Sequence, residues 1–311
     1  MELIKPGTNF DFIGKRKYAY IVSLVLLAVA VGSLIFHGGP NYGIDFTGGH
    51  LIQVKFSKNV TIPELKKALT SIGLTDATVQ DFSGGQENEY IIRLIKTEED
   101  NTVLSNNIEK ALADSFGAGS FEIRRVEMVG PKVGKNLQTK ALWAVILACG
   151  GILIYVAIRF ELRFAVGAVI ALAHDAIITV GAFSLANMEV NLPIVAAILT
   201  VIGYSVNDTI VIFDRIRENL RKAGKTPEAE VMNKSINETL SRTVITVGVT
   251  MLAVLSLLFL GGGVLSDIAF ALTVGFLLGA YSSIFVASPL VLEWTRIFPH
   301  KGPGHRKTFK R

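Results

Sequence analysis

Charge is scarce in this chain and cysteine almost absent. Only 18% of its residues are Asp, Glu, Lys or Arg, where a soluble domain carries about 25%. The one cysteine, Cys149, excludes an intrachain disulfide, and it has no metal-ligand company in its apolar surroundings. No G-x-x-x-x-G-K-[ST] loop occurs, so the chain brings no evident nucleotide site of its own. No G-x-S-x-G nucleophile turn occurs either. What the sequence has in quantity is hydrophobicity, at half of all residues.

That hydrophobicity falls into six long runs: 18–37, 141–158, 164–188, 192–213, 243–264 and 267–292. A membrane-crossing helix needs roughly 20 apolar residues, so each run is a candidate span. The first follows Lys15-Arg16-Lys17 but outlasts a signal-peptide core, and no A-x-A cleavage site follows it; we read it as a retained helix. Basic residues set the orientation. They gather in the N-terminal segment (1–17), at Arg159 and Arg163, in the link 214–242 (Arg215, Arg217, Arg221, Lys222, Lys225) and in the tail 293–311. With six spans all four fall on one side, and the positive-inside rule makes that side and both termini cytoplasmic. The basic tail lacks aromatic interleaving, so it fits anionic lipid better than nucleic acid, and no nucleic-acid partner is expected.

Between the first two spans lies 38–140, enough for one small external domain. Residues 50–56 alternate as a strand, and Thr61-Ile-Pro-Glu64 opens a helix that stops at Gly73. Strands are predicted over 75–82 and 89–95, around a Ser83-Gly84-Gly85 turn. A helix over 98–116 and a strand over 120–129 complete the set. The order βαββαβ is that of a ferredoxin-like α+β sandwich. The expected fold class is therefore a polytopic α-helical membrane protein with six transmembrane helices and one periplasmic α+β ferredoxin-like domain between the first two.

The most informative single residue is Asp208, a carboxylate within the fourth run. At the centre of a span such a group costs about 2.5–3.5 kcal/mol on insertion scales, so it should face other helices and marks an ion or proton pathway. Asn207 points about 100° away around the helix and could bond to a neighbour. Gly203 and Ser205 are small enough for close helix approach. Ser205 and Ile212, about one turn from Asp208, are expected to face a partner's helix. In the third run, Asp175 follows His174; adjacent residues do not share a helix face, so the pair need not act together. Arg242 opens the fifth run, where an arginine can serve simply as an interfacial anchor.

Two stretches carry a resemblance. Gly43-Ile44-Asp45-Phe46-Thr47-Gly48-Gly49, together with the segment from Val201 through Asn207-Asp208 to Asn219, closely resembles the SecF half of the SecD–SecF family of protein-export membrane proteins, a branch of the resistance–nodulation–division transporters. The resemblance implies a non-enzymatic auxiliary of the Sec translocase in the bacterial inner membrane. It would draw on the proton motive force for late steps of export, with neither cofactor nor metal. The implied partners are SecD, the SecYEG channel, YajC and exported unfolded polypeptides. It also implies that Asp208 and Arg242 take part in proton-driven movement, with Asn207 beside them; Asp175 joins them as a candidate from its own position. In the first stretch Gly43, Gly48 and Gly49 suit tight turns, and Asp45 can order the link between helix and domain by accepting from backbone N–H groups. Two other readings stand beside it. A small-molecule efflux protein of the same superfamily would carry two large external loops. An intramembrane aspartyl protease would pair Asp175 with Asp208, though no Gly-x-Gly-Asp signature is present.

Overall fold

The computed structural model describes residues 8–82, 88–94 and 101–298. Its elements are α1 (Arg16–Phe36), α2 (Ile44–Thr47), β1 (Gly49–Phe56), α3 (Ile62–Thr70), β2 (Thr78–Asp81), β3 (Glu89–Leu94), α4 (Asn101–Phe116) and β4 (Phe121–Val129). They continue with α5 (Pro131–Arg159), α6 (Leu162–Leu185), α7 (Leu192–Lys222), α8 (Glu228–Leu260), α9 (Gly263–Ser282), a π-helical turn (Ser283–Ala287) and α10 (Ser288–Ile297). Among the described residues six helical segments are long and apolar enough to cross a membrane: α1, α5, α6, α7, α8 and the run from α9 through α10. The chain is a multi-pass membrane protein.

The small domain is a four-stranded sheet in the order β2-β3-β1-β4 with every neighbouring pair antiparallel, the ferredoxin-like arrangement. Strand alternation explains its core. Ile52, Val54 and Phe56 of β1 and Tyr90, Ile92 and Leu94 of β3 bury one face of the sheet. Leu65, Ala68 and Leu69 of α3, with Leu104, Ile108 and Leu112 of α4, cover that face at helical spacing. Helix α3 starts as the sequence predicts, with the Thr61 N–H donating to Glu64 Oε2 at 2.9 Å. Strand β2 is shorter than expected. The predicted Ser83-Gly84-Gly85 turn and the first residues of the 98–116 helix lie outside the described residues.

Three helices run well past the apolar stretches. α5 starts at Pro131, immediately after β4, so the second span grows directly out of the domain. α7 does not turn aside at Asp214 but stays helical to Lys222, with Arg215–Glu218 and Glu218–Lys222 pairs bracing its extension. α8 begins at Glu228 with Pro227 as its N-cap, which places Arg242 inside a long helix rather than at a helix start. The last span breaks its α-helical pattern at Ser283–Ala287, just before Pro289. A helical proline lacks an N–H and crowds the carbonyl four residues back, and a π-turn absorbs both faults.

The domain joins the bundle through the Gly43–Gly49 stretch. The Gly43 N–H donates to the Val190 carbonyl at 2.9 Å, and the Val190 N–H donates to the Asn41 carbonyl at 2.7 Å, tying the stretch to the turn between α6 and α7. Gly48 has φ 76° and ψ 168°, a conformation open to glycine almost alone. A Cβ there would lie 2.8 Å from Pro131 Cα at the start of α5. Gly73 also has positive φ, 83°, but nothing crowds it within 4 Å. Gly73→Ala should therefore cost only the roughly 1–2 kcal/mol of left-handed backbone, whereas Gly48→Ala adds a backbone collision and should cost distinctly more. Thermal unfolding of the two variants in detergent, followed by circular dichroism, checks the ranking; equal losses would mean the Gly48–Pro131 contact carries no stability.

Candidate functional site

Helix α7 is the spine of the site, and its first turn is held from two sides. Asn191 caps it by accepting from the Ile194 N–H at 3.2 Å, and Asp45 Oδ2 accepts from the Leu192 N–H at 2.9 Å. Both satisfy donors that a helix start leaves unpaired. Asp45 thus accepts from a backbone N–H, but that N–H belongs to the start of the fourth span, 147 residues on. Along α7 the residues Val201, Ser205, Asp208, Thr209, Ile212 and Ile216 are buried at spacings of three and four, so one face enters the bundle.

Asp208 lies on that buried face. Its Oδ1 accepts from Thr243 Oγ1 of α8 at 2.7 Å, while its Oδ2 is buried with no hydrogen-bond partner among the described residues. Arg242 does not pair with it. The arginine is exposed and lies within electrostatic reach of Asp208, lining a hollow of about 650 Å³ with Arg159, Asp214, Arg217 and Glu238. Adjacent positions on α8 differ by about 100°, so the rotation that turns Thr243 toward Asp208 turns Arg242 away. Thr243 is the partner that sequence reasoning missed, although its hydroxyl inside an apolar run was a readable signal.

Asp175 is fully buried and better satisfied. Ser205 Oγ of α7 and Ser282 Oγ of α9 both donate to its Oδ2, at 2.7 and 2.6 Å, and His174 Nδ1 lies 2.9 Å from its Oδ1. Although adjacent residues do not share a helix face, the two side chains come within hydrogen-bond distance of each other here. Beyond them, Thr209 Oγ1 and Ser283 Oγ are 2.7 Å apart, and Ser288 Oγ closes on the Ser283 carbonyl at 2.8 Å across the π-turn. The close fit between α7 and α9 comes from Gly279, where a Cβ would meet Ser205 Cβ at 3.0 Å.

The structure therefore brings Asp175, Ser205, Thr209, Ser282 and Ser283 into one polar seam through α6, α7 and α9. Asp208 and Thr243 sit at its α8 side. The two carboxyls share no hydrogen bond among the described residues, since each has its own partners; this is not the proton-sharing dyad of an aspartyl protease. One expected placement changes, and two residues find no contact with another helix of this chain among the described residues. Gly203 is exposed with nothing within 4 Å of a Cβ, so it mediates no close approach within the bundle. Asn207 is exposed and bonds to no neighbouring helix among the described residues. Ser205 and Ile212 are buried inside the bundle, so they cannot face a partner. Ala196, Thr200, Gly203 and Asn207 form the outward stripe instead.

The fold and site define a six-span membrane protein with an α+β domain on its first large loop and a carboxyl-bearing polar seam through the bundle. Residues 108–297 match the family described as "Protein export membrane protein SecD/SecF, C-terminal", and residues 33–60 match the "SecD/SecF GG Motif". The chain belongs to the SecD/SecF family of protein-export membrane proteins. A relative from Calditerrivibrio nitroreducens, named protein translocase subunit SecF, is 49% identical over 94% of this chain and 96% of its own length. The protein of that name from Vibrio alginolyticus is 45% identical over 94% and 92%. The crystal structure of SecDF, a translocon-associated membrane protein from Thermus thermophilus, superposes with a TM-score of 0.85 at 40% identity over 95% of this chain. This chain spans 40% of that longer one.

Thr243→Val removes the donor to Asp208 and leaves a buried carboxyl unpaired. It should cost about 1–3 kcal/mol, read as a lower unfolding midpoint in detergent. In an Asp208→Leu background the same change should cost much less, because nothing is left to satisfy; equal losses in both backgrounds would show that Thr243 acts through packing alone.

Proposed function

We propose that the chain serves as a non-enzymatic membrane subunit of the Sec protein translocase, drawing on the proton motive force for late steps of protein export. The family and its named relatives support the translocase role. The single observation that carries the coupling role is Asp208, which is enclosed by the bundle, bonded through one oxygen to Thr243 and unpartnered at the other. Such a carboxyl is poised to take up a proton. Neutralisation lowers its cost of burial, and each charge that moves through the field releases about 2.3 kcal/mol per 100 mV without ATP. Repacking of α7 against α8 would then pull on the Asp45–Leu192 bond and so reach the external domain. Arg242 acts in this scheme at a distance, as a charge near the mouth of the site. Asp175, with His174, Ser205 and Ser282, forms the inner continuation of the path.

Basic residues on the face opposite the domain make that face cytoplasmic, so both termini lie inside and the domain is periplasmic, in a bacterial inner membrane. The working assembly includes a SecD-type partner, the SecYEG channel and YajC, and the domain meets unfolded polypeptide on the outer side. The stripe at Ala196, Thr200, Gly203 and Asn207 supports the partner's place. A polar amide facing lipid is costly, while small residues admit a second helix closely.

Asp208→Asn keeps size and hydrogen bonding but cannot carry a proton. Membranes containing it should lose proton-driven stimulation of export while retaining normal amounts of assembled protein; unchanged stimulation would overturn the relay. For the partner surface, cysteines at Gly203 and Asn207 in a Cys149→Ala background should crosslink to the fourth span of a SecD-type chain, while cysteines at Ser205 and Ile212 should not. Crosslinks exclusively between two copies of this chain would replace that interface with a homodimer.

A further inference from the structure

A second cluster of ionisable groups lies away from the seam, where the external domain rests on the bundle. Arg93 of β3 forms an ion pair with Glu189, in the turn between α6 and α7. Gln80 Oε1 of β2 accepts from Arg93 Nη1 at 2.8 Å. Two further carboxylates act on Glu189, Asp267 from α9 and Asp45 from α2. Beside them the Phe82 ring fills the space a Cβ at Gly263 would need, adding an apolar contact between the domain and the start of α9. Glu189 thus meets one arginine and two carboxylates from three separate elements, and both members of the ion pair are partly buried.

We propose that Glu189 is a proton-binding site that latches the external domain onto the membrane-spanning bundle, with the proton closing the latch. The obvious expectation runs the other way, since protonation weakens an ion pair. Here, however, the cluster carries two negative charges in excess, and Glu189 suffers both burial and repulsion. Burial, with Asp267 and Asp45 adding to it and Arg93 opposing, pushes the Glu189 carboxyl from 4.5 up to about 7. Burial likewise holds the Arg93 guanidinium below its ordinary range. A carboxyl that binds its proton more tightly when docked than when released to water favours docking in acid. Asp267 and Asp45 stay beside Glu189 when the domain leaves, so the contribution comes from burial under the domain less the pull of Arg93, and it is lost as pH rises through about 7. Between about pH 6 and about pH 8 the ratio of docked to released domain should fall, by at most about tenfold. An acidic outer surface would then hold the domain down, and local depletion of protons would free it to move.

The latch rests on the proposed topology only for which side supplies the proton, and docking can be measured without reference to sides or to export. Spin labels at Lys66→Cys on α3 and Ala186→Cys after α6, in a Cys149→Ala full-length chain in detergent, report the distance between domain and bundle by pulsed EPR. The wild-type distribution should be narrow at about pH 6 and broaden at about pH 8. Glu189→Gln, permanently uncharged, should stay narrow at both. Asp267→Asn removes one repelling charge and should move the broadening to lower pH, a readout that holds even if the Glu189 variant misfolds. A wild-type distance indifferent to pH, broadening on acidification, or a full pH response in Glu189→Gln would each overturn the latch. Loss of export coupling with the distance response intact would instead count against the proposed function.

Discussion

Lipid offers no hydrogen bonds, and most of the arrangement inside the bundle follows from that. Asp175 and Asp208 cannot be left facing hydrocarbon, so helices α6, α7, α8 and α9 must close around them with donors in place. The donors are hydroxyls, Ser205, Ser282 and Thr243, rather than charged partners. A hydroxyl is short and allows helices to approach, whereas an arginine would wedge them apart. The close contact at Gly279 and Ser205 is the packing counterpart of the same requirement. Asp208 is the exception, because one of its oxygens lacks a partner. The cost held in that unsatisfied group is what a proton could relieve.

The same helix that carries Asp208 is fastened to the domain at its other end. Asp45 bonds the first N–H of α7, and the backbone bridge between residues 41–43 and Val190 fixes the turn before it. Pro131 continues the sheet into α5 without a linker, and Gly48 lets the two backbones meet. The domain is therefore mounted on α5 and on the α6–α7 turn together. A change in the tilt or register of α7 would bear directly on its base. Arg93 and Glu189 add an ion pair between the sheet of the domain and that turn.

Particular residues mark how far the sequence could be read. Apolar runs of span length leave the backbone one way to satisfy itself in lipid, so six helices followed from hydropathy alone. The alternation at Ile52, Val54 and Phe56 and the Thr61–Glu64 cap placed β1 and α3 because those signals are local. Helix ends in water were less legible. Charged residues from Asp214 to Lys222 read as a loop, but their i, i+3 and i, i+4 pairs carry α7 onward. α8 likewise begins upstream of its apolar run.

The identity of the candidate carboxyls came from sequence, since Asp in a span is conspicuous and its cost is independent of context. Which groups surround them depended on how the helices rotate against each other, and local patterns do not encode that rotation. A turn of about 100° separates Arg242 from Thr243, and the packing of α8 on α7 selected Thr243. Packing likewise turned Ser205 and Ile212 inward and Gly203 and Asn207 outward. It also joined Asp45 to Leu192 and Arg93 to Glu189 across long stretches of chain. Sequence by itself determined the spans, their charge asymmetry, the ferredoxin-like domain and the presence of buried acids. Tertiary structure alone decided their partners, because hydrogen bonds and ion pairs form between surfaces that meet only when the helices and the domain are packed together.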